Sequence, residues 1–246
     1  MLSQPSLCFI IACKVYKSYE SYIPFYISKI NEYYPEAFII LVDNNSEYSE
    51  FYSQFSSMNN VLVLENISDS KFELGAYKFA TEYIKTNNLN FDYYICSQDT
   101  FVLVNKYDFN KLVKDNIKAC AIGHFYFHRS FGLHVNVLRQ LGLYDPSETF
   151  SCCWCSSWCC DHESLLNINT LLASIVPRSR NDSEQTERYM GKILKILNND
   201  VEYAIEIGVE GNDDYDCHTI DPRSEAAKNT GHFFIKRAQQ KNENTK

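Results

Sequence analysis

Three groups of residues in this 246-residue chain have types and spacing that suit chemistry. The first comprises polar residues that follow apolar runs: Ala12-Cys13-Lys14 after LCFIIAC, Asp43 and Asn44 after FIILV, and Asp99 within Ser97-Gln98-Asp99-Thr100 after FDYYIC. A carboxylate in such a place can accept hydrogen bonds from a ribose or a base, or ligate a hard cation through oxygen. The second is the acidic pair Asp161 and Glu163, preceded by CCWCSSWCC, which holds both tryptophans, Trp154 and Trp158. The third is late and basic: Asp216-Cys217-His218, then Gly231-His232 with Lys236 following.

These residues need elements to position them. Apolar periodicity predicts strands at Leu7–Lys14, Ala37–Val42, Asn60–Glu65 and Phe91–Cys96, with the apolar run resuming at Phe101–Val104. Helices are predicted at Tyr19–Tyr33 and Lys71–Lys85, with a short one at Glu47–Ser57. Strands alternating with helices imply right-handed crossovers and a mostly parallel sheet covered on both faces. The second half reads as a strand at Lys118–Phe127, helices at Val135–Gly142, His162–Val176 and Glu184–Asn198, and a strand at Val201–Ile207. Pro177–Asn181 reads as a break, Gly208–Thr230 as a polar loop, and CCWCSSWCC as a loop of free thiols. The fold class is therefore α/β, with one mostly parallel central sheet flanked by helices in a single domain. In such sheets ligands bind outside the carboxyl ends of strands, which is where Lys14, Asp43 and Asp99 fall.

The turn after the first strand lacks the glycine-rich fingerprint of dinucleotide folds, and no Walker A loop is present. Taken together, VDNNS, the helix opening FELGAYKFA and ICSQDTFVL resemble the nucleotide-sugar-dependent glycosyltransferases of the GT-A fold (family 2-like) over Leu7 to Glu163. The resemblance implies a donor site made by Ala12, Lys14, Asp43, Asn44, Glu73, Gly75, Gln98 and Lys236. Asp43 takes the nucleoside position, and Gly75 the glycine at the helix start near the diphosphate. Asp99 takes the last, metal-binding position of a D-x-D signature, with Ser97 standing where its first Asp would be. Mn or Mg is the implied cofactor, with His232 as a further ligand.

On the acceptor side, Leu141-Gly142 and Tyr144-Asp145 match part of the family's segment, and the opening Asp161-His162-Glu163 matches its acidic pair. The family implies inverting transfer, with Asp161 or Glu163 as general base; Trp154 and Trp158, whose ring faces suit the C–H faces of sugars, would rim the acceptor cleft. The implied partners are a nucleoside-diphosphate sugar of UDP or GDP type and a glycan or protein acceptor. Residues 1–110 would form the nucleotide-sugar half and 111–237 the acceptor and catalytic half, with 238–246 a disordered tail. A catalytically silent nucleotide-sugar or glycan-binding domain is the alternative, because the D-x-D signature is incomplete. A nucleotidyltransferase is a third reading, but its basic or glycine-rich triphosphate loop is not found.

Composition sets outer bounds. Hydrophobic residues are 45% and charged residues 22%, as in ordinary soluble globular chains. A net charge of −8 argues against a nucleic-acid binder, which needs a basic face. LCFIIAC is too short to span a bilayer and lacks the flanks of a signal peptide, which predicts no transmembrane segment and a cytoplasmic protein (host cytoplasm if viral). Of the ten cysteines, those inside apolar runs read as small buried hydrophobes.

Overall fold

A computed structural model describes residues 4–127, 133–205 and 221–236. Asp216, Cys217, His218 and the tail at 238–246 lie outside the described residues.

The first half builds β1 (Leu7–Cys13), α1 (Ile23–Tyr33), β2 (Phe38–Asp43), a 3-10 turn (Ser49–Phe55), β3 (Val61–Glu65), α2 (Glu73–Thr86), β4 (Tyr93–Gln98), β5 (Phe101–Leu103) and α3 (Asn110–Lys114). The second half builds β6 (Ala119–Ile122), β7 (His124–Phe127), α4 (Leu133–Gln140), β8 (Phe150–Cys153), a 3-10 turn (Trp154–Ser156) and β9 (Trp158–Asp161). It ends with α5 (His162–Leu171), α6 (Arg180–Leu197), β10 (Ala204–Ile205), α7 (Glu225–Asn229) and β11 (Phe234–Lys236). The central sheet has seven strands in the order β10-β6-β9-β4-β1-β2-β3. It is parallel except at β9, which runs antiparallel to both β4 and β6. This is the α/β single-domain architecture that the alternation predicts; strands of both halves share one sheet.

β1 shows why its apolar run has no gaps. Phe9, Ile11 and Cys13 face one core layer with Tyr26 and Ile30 of α1, while Cys8, Ile10 and Ala12 face the other with Tyr77 and Ala80 of α2. A strand buried on both faces carries apolar residues at every position. α6 supplies the second layer with Tyr189, Met190 and Ile193. It begins at Arg180, earlier than the predicted Glu184, because Ser179 and Asp182 form a reciprocal capping box. No helix among the described residues is long and apolar enough to cross a membrane.

Two expectations are corrected. The predicted strand Lys118–Phe127 splits into β6 and β7 at Gly123, whose φ of 73° breaks the run. CCWCSSWCC is not a loop but the connection β8–turn–β9, and β9 is a central strand. Cys153 and Cys160 pack on one face of the sheet and Cys159 on the other. Burial pushes the Cys159 and Cys160 thiols well above the ordinary cysteine range, which makes them inert core groups.

Candidate functional site

The sheet order reverses direction of growth at β1, which has β2 on one side and β4 on the other, all three parallel. Connections leave such strands in opposite directions and open a crevice at their carboxyl ends. Ala12, Lys14, Asp43, Asn44, Gln98 and Asp99 all sit on that edge, in register: Cys13 stands opposite Asp43, and Ala12 opposite Gln98. Asp99 is buried, and its Oδ2 accepts from the Lys14 backbone N–H at 3.0 Å. Its own N–H donates to the Ala12 carbonyl, also at 3.0 Å, so β1 and β4 stay joined beyond their ends. Asp43 Oδ1 accepts from the Ser46 N–H at 2.9 Å and from the Tyr52 hydroxyl at 3.4 Å, which folds the β2 turn back over the crevice. Asn44 is fixed by Asn66, whose Nδ2 donates to its Oδ1 at 2.7 Å. Between the two carboxylates lies Cys13, its thiol raised by burial and then by Asp99 and Asp43.

A second polar group joins this edge to the helices. Gln98 Nε2 donates to Glu73 Oε1 at 2.8 Å, and Ser183 Oγ of α6 donates to Glu73 Oε2 at 2.5 Å. Gln98 Oε1 accepts from Lys236 Nζ at 2.9 Å and from Thr100 Oγ1 at 3.1 Å. Lys236 Nζ also donates to Thr100 Oγ1 at 3.1 Å and lies 4.8 Å from the centroid of the Phe101 ring. Antiparallel pairing of β11 with β5 sets this position, since it places Lys236 opposite Phe101. Trp154 packs edge-on against the same ring, with centroids 6.1 Å apart. Gly75 has a local packing reason: a Cβ there would lie 2.4 Å from the Ser70 carbonyl oxygen.

Four predicted site residues are not brought to this edge. Asp161 stands opposite Tyr93, at the start of β4, so β9 carries it and Glu163 to the amino edge of the parallel strands. The separation from Asp99 along β4 is about 20 Å at the usual rise per residue. Asp161 is instead the N-cap of α5, its carboxylate accepting from the Ser164 N–H at 2.7 Å. The general-base assignment to Asp161 or Glu163 is therefore withdrawn. Asp161→Ala is expected to lower stability by about 1 kcal/mol, the usual loss of an N-cap, while leaving nucleotide binding unchanged; denaturation and ligand titration check the two halves. Trp158 is also corrected: it is 1% exposed and meets Tyr77 edge-on with centroids 4.7 Å apart, so it is core and not rim. His232 precedes β11, and its carbonyl accepts from Asn105 Nδ2 at 2.7 Å, at the far end of the β5–β11 pair from Lys236. At strand rise that is about 13 Å from Lys236, and the ligand role beside Asp99 is withdrawn.

The donor set bears on the implied metal. Among the described residues no three His, Cys, Asp or Glu side chains gather around one point. What the edge does offer is hard carboxylate oxygen, from Asp99 and Asp43. That set fits a Mg or Mn ion completed by phosphate oxygens and water, which needs only one or two carboxylates.

Sequence reading missed the roles of Thr100 and Ser183, and an aromatic rim. Tyr16 and Tyr19 in the loop after β1 pack together at 5.6 Å, and Tyr48 after β2 is 38% exposed. Lys14 Nζ lies 5.4 Å from the Tyr16 ring and Lys17 Nζ 5.8 Å from the Tyr48 ring. The signal is partly legible: Lys14, Tyr16, Lys17 and Tyr19 follow the first strand end, and Tyr48 follows the second.

No family model and no curated protein matches the chain. Among solved structures it is similar to a mannosyltransferase from Pyrobaculum calidifontis determined with GDP-Man and Mn2+ (10% identity, 74% of this chain, 51% of that one, TM-score 0.43). This chain thus spans about half the length of that enzyme. It is also similar to a putative glucose-1-phosphate thymidylyltransferase from Bacillus anthracis determined with a sucrose (10% identity, 82% of this chain, 87% of that one, TM-score 0.47). Likeness at this level transfers neither protein's ligand to this chain.

Proposed function

We propose that this chain binds a nucleoside-diphosphate sugar at the carboxyl edge of β1, β2 and β4 and transfers the sugar to a hydroxyl acceptor. The observation that carries the reading is the Lys236 ammonium. It is held by two neutral oxygens over an aromatic face, and among the described residues no carboxylate pairs with it. A half-buried cation held this way lacks a counter-charge, and a diphosphate supplies one.

In this reading Lys236, positioned by Gln98 and Thr100, binds the diphosphate and stabilises the negative charge that grows on it as the glycosidic bond breaks. Asp43 and Asn44 orient the nucleoside, with Tyr16 and Tyr48 offering ring faces to the base. Glu73 fixes Gln98 and ties α2 to the site. Asp99 would hold Mn or Mg, which when bound neutralises phosphate charge. Residues 1–110 would then carry most of the donor site, and 111–237 the remainder with the acceptor.

A second reading, binding without transfer, is favoured by Ser97. That residue is fully buried with its hydroxyl 3.0 Å from the Tyr26 hydroxyl, so the position matching the first Asp of a D-x-D signature faces the core. One experiment addresses both readings. UDP, GDP, dTDP and CDP, each with and without Mn, are screened by thermal shift on the full chain. At a hundredfold excess over Kd a native-state ligand adds about 2.7 kcal/mol, or roughly 5–10 °C for a chain of this size. One diphosphate is expected to do so. No shift with any of them would overturn nucleotide binding, and a shift without hydrolysis or transfer of the matching sugar donor would select the silent alternative.

A further inference from the structure

Since Asp161, Glu163 and Trp158 lie away from the crevice, Trp154 alone of the residues first expected on the acceptor side stays near it. A hollow of about 270 Å³ opens where the segment after α5 passes α4 and the first turns of α6. It is smaller than the roughly 300–1,000 Å³ of clefts that take drug-sized ligands, which suits a single ring. Ile175, Val176 and Pro177 form an apolar side, and Asn136, Asp182, Gln185 and Tyr189 contribute polar groups.

Two of those polar groups are built for a ligand. The Gln185 side chain is 8% exposed, and its oxygen is already taken up: His134 Nδ1 and Arg188 Nη1 each lie 2.8 Å away, and the His134 N–H donates at 3.4 Å. The NH2 of the same amide has no acceptor among the described residues, and Gln185 lines the hollow. Tyr189 is 1% exposed, and among the described residues its hydroxyl has no hydrogen-bond partner. Helical side chains lean toward the helix N-terminus, so this hydroxyl points back along α6 toward Gln185 and Asp182. The rise that burial and then the Asp182 charge impose on its phenol agrees with that direction. An orphaned buried donor costs free energy until something accepts from it. The Gln185 amide, the buried Tyr189 phenol, one nearby carboxylate and an apolar wall match a neutral ring bearing several hydroxyls; the carboxylate disfavours an anion. The same turn of α6 is tied to the crevice, because Ser183 holds Glu73, which in turn accepts from Gln98.

We infer that this hollow is the acceptor subsite and seats one hydroxyl-bearing sugar ring through Gln185 and Tyr189; its role as acceptor site rests on the transfer reading above. The test titrates methyl glycosides of glucose, galactose, mannose and N-acetylglucosamine against the full chain by saturation-transfer NMR, alongside UDP and GDP as separate ligands. At least one glycoside is expected to bind. Tyr189→Phe is expected to weaken it at least fivefold without lowering the melting temperature, since the hydroxyl it removes bonds nothing among the described residues. Asn136→Trp, at an exposed position on the mouth, is expected to block it in the same way. UDP or GDP binding stays unchanged in both variants. No glycoside binding, or equal binding in wild type and both variants, overturns the subsite even if a nucleotide binds. Glycoside binding that is lost in both variants, with no nucleotide bound by the wild type, upholds the sugar seat and overturns the transfer reading.

Discussion

Lys236→Met is expected to weaken nucleoside-diphosphate binding by ten- to a hundredfold while leaving the melting temperature within about 2 °C of wild type. Methionine keeps an unbranched chain over the Phe101 ring and removes the ammonium. Among the described residues that ammonium meets only Gln98 Oε1, Thr100 Oγ1 and the Phe101 ring, all neutral, so its loss breaks no ion pair there. With a diphosphate bound, the same group makes charge-assisted hydrogen bonds worth about 1.5–3 kcal/mol, and each 1.4 kcal/mol is a factor of ten in affinity. Calorimetric titration in low and moderate salt measures the loss. The salt dependence itself is expected to flatten, because the variant has one charge fewer to screen. Undiminished affinity would remove Lys236 from the site and with it the observation on which the function rests.

The largest effect on stability is expected at Gly191. A Cβ on this residue would lie 1.9 Å from the Ser151 carbonyl oxygen and 2.9 Å from Cys152 Cα. Both are backbone atoms of β8, so no rotamer change relieves the overlap; α6 has to move off the strand. That displacement would disturb Tyr189, Met190 and Ile193, which complete one core layer. Overpacking of this kind costs about 3 kcal/mol or more. Gly191→Ala is expected to show it as a lower midpoint in urea denaturation, with Gly142→Ala as the contrast. Gly142 also lacks a side chain, but a Cβ there would meet nothing within 4 Å, so only its φ of 70° opposes the substitution. Equal losses at the two glycines would contradict the close approach of α6 to β8.

Much of this architecture is legible in the residues, and the exceptions have physical causes. β1, β2 and β4 declare themselves because a strand buried on both faces has no polar position to hide it. Asp43 and Asp99 are legible for the complementary reason: polarity returns abruptly where such a strand leaves the core. β9 is opaque because its four residues, Trp158 to Asp161, are too few to show a period, and Ser156-Ser157 before them looks like a turn. The misplacement of Asp161 follows from that one omission. An acidic pair at a helix start has the same local appearance at either edge of a sheet, and only the direction of the preceding strand says which edge it occupies. Lys236 is legible as a base near the end of the chain, but its setting is not. Pairing with β5 reaches back more than 130 residues to Phe101, beyond any local pattern. Gln185 and Tyr189 are invisible for a third reason, since i and i+4 on a buried helix face read simply as core.

The antiparallel β9 also constrains the order in which the polypeptide can fold. It is the piece that joins β4 to β6, yet it follows both in the chain. Until residue 161 has left the ribosome, β4 presents a bare hydrogen-bonding edge beside the finished β3-β2-β1 block, and β6 has nothing to pair with on that side. Exposed edges of that kind recruit other strands. The nascent amino-terminal half therefore carries an open sheet edge, which closes only when the strand between β4 and β6 arrives.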